Sequence, residues 1–152
     1  MNYEHKQIGR LHLYLITGGL AIGAAWCIAG PFFLPDKVWI IPALAFPIFM
    51  LTFGLSFRSL LIRDDGHCLT LRFGPLPFFQ KRFPYSQMTS AEASRSSFID
   101  GWGIHYILGR GWTYNLWGYD CVKIQMGKKI VRIGTDDVPG LLQLLQTKIN
   151  AH

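Results

Sequence analysis

Charge is what this sequence has least of. Only 16% of its 152 residues are Asp, Glu, Lys or Arg, against about a quarter in an ordinary soluble domain. The shortage is local: no such residue occurs from Leu11 to Pro35, nor from Val38 to Phe57. Cysteine is scarce too. The three thiols, Cys27, Cys68 and Cys121, have a spacing that suggests neither a disulfide framework nor a metal site. The five histidines are scattered, with His67-Cys68 a lone adjacent pair. A GxGxxG loop is not completed, because Gly101 and Gly103 are followed by Tyr106. No basic helix, aromatic-basic repeat or helix-turn-helix is present, which argues against nucleic acid despite a sequence pI near 9.4. The expectation is no cofactor and no metal.

What is present is two long apolar runs. Leu11 to Leu34 is long enough to cross roughly 30 Å of hydrocarbon, and Val38 to Phe57 only just meets that need. Pro35, Asp36 and Lys37 alone separate them, so the pair reads as an antiparallel transmembrane hairpin, 11–34 and 38–57. Pro42 and Pro47 are tolerated in such helices. The alternative is a cleaved signal followed by one helix. The run is long for a signal, and no A-x-A site stands out near its end. Lys6 and Arg10 precede the hairpin, and Arg58 and Arg63 follow it. The positive-inside rule then puts both termini in the cytoplasm, with residues 1–10 as a cytoplasmic tail. Gly19 and Gly23 form a small-residue face that receives either the second helix or a partner subunit.

From residue 58 the period changes to alternation. "SLLIRDDGHCLTLRF" reads as a hairpin turning at Asp65-Gly66. "KRFP", "TSAEA", "GWTYNLWG", "YDCVKIQM" and "KIVRIGT" supply further strands, six or seven in all. "TDDVPGLLQLLQTKIN" is an amphipathic helix capped by Thr135 or an Asp. Val138, Leu141, Leu142, Leu145 and Ile149 lie on its apolar face. The expected class is α+β: two antiparallel transmembrane helices, then an antiparallel β-barrel or sandwich over residues 58–152, plugged by the terminal helix.

The helix pair, the "DDG" hairpin, "RFGPLPF", "GWGIHY", "GWTYN" and "KKIVRIGTDD" together resemble small bacterial membrane proteins that carry a pleckstrin-homology-like (PH-like) domain. That resemblance covers nearly the whole chain. It implies a bacterial inner-membrane location and a role in binding phospholipid headgroups, peptides or protein partners.

Candidate sites are few. Catalysis could call only on His105, near Asp100, Tyr106 and Tyr114, and His105 is equally an ordinary strand residue. A non-catalytic protein is therefore expected. Trp102 is the surface aromatic expected to meet a partner, with Gly19 and Gly23 as the contact within the membrane. Trp112 and Trp117 are expected in the core. Residues 58–152 hold twelve Lys and Arg against seven Asp and Glu. Among them Arg58, Arg63, Arg72, Lys81 and Arg82 could face anionic lipid, while Asp64 and Asp65 at the first hairpin would oppose it. The expected function is a membrane-anchored scaffold or accessory subunit for a membrane protein partner or for self-association. The alternatives are a sensor of anionic headgroups and an enzyme using His105.

Overall fold

The computed structural model describes residues 3–34, 36–76, 78–97 and 102–151. Pro35, Asp100 and Gly101, which the sequence reading used, lie outside these. In chain order the elements are β1 (Glu4–Ile8), α1 (Leu11–Phe33), α2 (Ile40–Ser56), β2 (Ser59–Asp64), β3 (Cys68–Phe73), β4 (Phe79–Pro84), a 3-10 turn (Tyr85–Gln87), β5 (Ser90–Arg95), β6 (Gly103–Ile107), β7 (Gly111–Asn115), β8 (Asp120–Met126), β9 (Lys129–Gly134) and α3 (Val138–Asn150). The protein is α+β.

At 1.5 Å per residue α1 is about 35 Å long and α2 about 25 Å. α1 is long and apolar enough to cross a membrane; α2 is apolar but shorter. They pack as an antiparallel pair. Side chains built at Gly19, Gly23 and Gly30 would strike Met50, Pro47 and Trp39 in turn, and one at Gly54 would strike Ile16. Pro47 deprives the Ala43 carbonyl of its helical donor, and that carbonyl lies against Gly23. The turn between the helices puts Asp36 and Lys37 in the left-handed region.

The strands form two sheets, in the orders β1-β2-β3-β4 and β5-β8-β9-β7-β6. All pairings are antiparallel except β7 with β9. The sheets do not close into a barrel, which corrects the barrel expectation. Among the described residues eight strands follow the helices rather than six or seven; the aromatic-glycine stretch supplies two of them, β6 and β7, joined by a turn at Gly109-Arg110 as its glycines suggest. Residues 4–8, read as a tail, form β1 and pair with β2 from Glu4↔Arg63 to Ile8↔Ser59. The helical pair is thus the connection of a β-hairpin.

Alternation decides what each strand buries. Leu60 and Ile62, Leu69, Leu71 and Phe73 from the first sheet meet Val122, Ile124, Val131 and Ile133 from the second. Leu141, Leu144 and Leu145 of α3 close this core. The Asp137 carboxylate caps α3, accepting from the Gly140 amide at 3.0 Å.

Candidate functional site

The outer face of the first sheet collects the basic residues. Register sets them in rows roughly 7 Å apart, two residues along each strand. Nearest the helix ends lie Ile8, Ser59 and Gly74, with Arg58 adjoining. Next come Lys6, Leu61, Arg72 and Gln80, then Glu4, Arg63, Thr70 and Arg82. A cleft of about 470 Å³ opens on this face, lined by Lys6, Ile8, Arg58, Leu61, Arg72 and Glu4 among others. The Arg72 guanidinium donates to the Pro75 carbonyl at 2.7 Å, which holds it across the cleft.

The β3–β4 turn leans on the end of α2. A side chain at Gly74 would meet the Ser56 carbonyl, and Phe79 packs on Phe53 and Phe57 at ring distances of 5.9 and 5.6 Å. This end of the face therefore sits at the helix exits. It also carries Ile8 and Phe78, each 70% exposed. A basic surface edged by exposed apolar groups beside two apolar helices is chemically complementary to an anionic bilayer surface.

Four of the five basic residues expected to face lipid meet here: Arg58, Arg63, Arg72 and Arg82. Lys81 does not, because its odd place in the alternation turns it to the opposite side of β4. Arg63 is paired with Asp65 at 2.7 Å. Lys6 and Ile8 were missed as site residues, since nothing local shows that β1 pairs with a strand beyond the helices. The charge alternation of Glu4, Lys6 and Ile8 against His5 and Gln7 is the one available signal.

Asp64 and Asp65 serve the fold. The Asp64 carboxylate accepts from the Gly66 amide at 2.8 Å and the Tyr85 hydroxyl at 2.9 Å, and pairs with Lys148 at 2.8 Å. Burial alone would raise its pKa; the Lys148 ammonium, the Gly66 amide and the Tyr85 hydroxyl outweigh it and hold the carboxyl below its usual range. Burial, then Asp64, push the Tyr85 hydroxyl up. Thr70 and Arg63 keep Asp65 ionised below its usual range. Both carboxylates thus have cationic or donor partners of their own.

The residues expected at partner contacts have neighbours within the chain. Gly19 and Gly23 are buried against α2, the first of the two alternatives for that face. Trp102 is half-buried and stacks on Trp117 at 4.3 Å, which stacks in turn on Tyr14 of α1 at 6.1 Å. Trp117 thus links Trp102 to the helices. Trp117 is only half-buried and Trp112 is 42% exposed, so neither lies in the core as expected. The His105 ring Nε2 donates to the Trp102 carbonyl. His105 does not line the cleft on the basic face. Among the described residues no group of three or more His, Cys, Asp or Glu could hold a metal ion.

No protein-family model matches the chain, and no curated protein is significantly similar to it.

Proposed function

We propose that this protein is a membrane-anchored, non-catalytic binding module of the bacterial inner membrane. Its helices cross as a hairpin with both termini cytoplasmic, and its PH-like domain rests on the anionic leaflet. Support for the anchor comes from the outer surface of the helical pair. Ile22, Ile28, Phe32, Ile41, Ile48 and Phe49 are all exposed there, a band too apolar for water.

The observation that carries the lipid reading is the convergence of Lys6, Arg58 and Arg72 beside the helix exits. Each basic residue near such a surface contributes about 1 kcal/mol at physiological salt. The test is native mass spectrometry of the full chain released from bilayers mixing phosphatidylglycerol with phosphatidylcholine. Wild type should retain phosphatidylglycerol preferentially. The Lys6→Glu, Arg58→Glu, Arg72→Glu triple variant should not. Equal retention of both lipids by wild type would remove the reading.

A scaffold for a protein partner is the second reading. It is favoured by the β6–β7 hairpin, where Tyr106 is 58% and Leu108 is 88% exposed.

A further inference from the structure

At the β4 edge of the first sheet, where Arg82 borders the basic face, the two sheets part between β4 and β7. A cleft of about 360 Å³ lies there, lined by Lys81, Arg82, Phe83, Trp112, Tyr114 and Lys129 among others. A second of about 260 Å³ shares Trp112 and Lys129 and adds Tyr106 and Lys128. The two make one trough with Trp112 at its middle. Its floor is a run of rings: Tyr106 to Trp112 at 5.4 Å, Trp112 to Tyr114 at 6.2 Å, Tyr114 to Phe83 at 5.5 Å. Its rim holds Lys81, Arg82, Lys128 and Lys129, and among the described residues no carboxylate lines either cleft.

One wall is a strand edge. Lys81 to Pro84 line the cleft consecutively, which an alternating strand does only along its edge. β4 is the last strand of its sheet. The Tyr85 amide donates to the His67 carbonyl at 3.1 Å, which fixes the phase of the β3–β4 ladder. Phe79, Lys81 and Phe83 turn their backbone groups to β3, so Gln80 and Arg82 present theirs outward. Among the described residues no strand pairs with that edge.

The geometry points to a docking site for an extended acidic peptide of a partner protein, added as a fifth strand beside β4. Backbone bonding to Gln80 and Arg82 would set its register. Apolar side chains at alternate positions would lie on the exposed rings of Trp112 and Tyr106, with the buried Phe83 and Tyr114 beneath them, and carboxylates would meet Lys81 and Lys129. The trough adjoins the lipid-facing surface at Arg82 but shares no lining residue with the cleft around Lys6, Arg58 and Arg72. From Gly103, which lies near the Phe57 ring at the helix exit, its rings are reached by running along β6 and β7. This inference rests on the scaffold reading, to which it gives a partner chemistry.

The test uses the full chain in phosphatidylcholine nanodiscs and fluorescence anisotropy. The probe is a labelled peptide of about ten residues alternating Glu with Val and Phe. It should bind, and Lys81→Glu with Lys129→Glu should weaken it at least about tenfold. Methylating alternate peptide amides should abolish binding. Absence of binding, equal binding of a Lys-for-Glu peptide, or indifference to methylation would overturn the inference. So would displacement by phosphatidylglycerol vesicles that the double variant no longer shows, since the trough would then hold lipid. A photo-crosslinker at Leu108 in native membranes separates the two failures. A protein adduct indifferent to the double variant overturns the peptide site and leaves the scaffold reading; no protein adduct overturns both.

Discussion

The Gly9 amide donates to the Arg58 carbonyl at 3.2 Å, although the whole helical pair lies between them in the chain. That bond continues the β1–β2 ladder, in which Ile8 faces Ser59. The helices are therefore an insertion into a β-hairpin, and both their outer ends are held by one sheet.

Replacing residues 10–57 with a short Gly-rich turn should leave a folded domain, because the ends to be joined are already in contact. A fragment beginning at residue 58 should be less stable. It loses β1, the Tyr3 to Asp137 hydrogen bond and the His5 to Asp136 pair, and leaves the β2 edge open. Thermal unfolding of the two chains decides this; equal midpoints would refute it.

Gly23→Leu should disrupt the helical pair. A Cβ at Gly23 would already lie 2.4 Å from the Pro47 ring, and overpacking of this kind costs about 1–3 kcal/mol or more. Gly18→Leu is the control, since a Cβ there meets nothing within 4 Å. The melting temperature in detergent should fall for the first variant alone.

Trp117→Ala should loosen the domain from the helices, because Trp117 is the middle ring between Tyr14 and Trp102. Each lost ring pair is worth about 0.5–1.5 kcal/mol. Hydrogen exchange should quicken in the first turn of α1 and in the β7–β8 connection, with the β2–β3 ladder unchanged.

Asp64 makes stability fall in acid. A carboxyl held below its unfolded-state value contributes stability that is complete above about pH 4 and is lost as pH drops through the folded value. The folded value is lowered by Lys148, Gly66 and Tyr85 against the opposing effect of burial. Asp64→Asn should lower the unfolding midpoint at pH 7 and flatten its decline below pH 4. An unchanged acid limb would show that other carboxylates govern it.

Much of the fold was legible locally. The "DDG" hairpin, the strand carrying Val122 and Ile124 and the capped helix after Asp137 each follow from short-range pattern, and each appears at its expected place. The basic face was legible only in part. Arg58, Arg72 and Arg82 are near their strand neighbours in sequence, whereas Lys6 reaches them across the helices. The tryptophans were misplaced because alternation gives a ring's side of a strand but not what covers that side. Trp112 points to an uncovered gap, and Trp102 stacks on Trp117, which itself meets Tyr14 of α1.

The two apolar helices, the change to alternating strands and the closing amphipathic helix were all set by local pattern along the chain. Those depend on composition and periods that any short window contains. Tertiary structure alone decided that residues 4–8 complete a sheet, that Gly19 and Gly23 face their own chain, and that β4 keeps an open edge beside Trp112. These are pairings between distant segments, chosen by which surfaces fit once the core has formed.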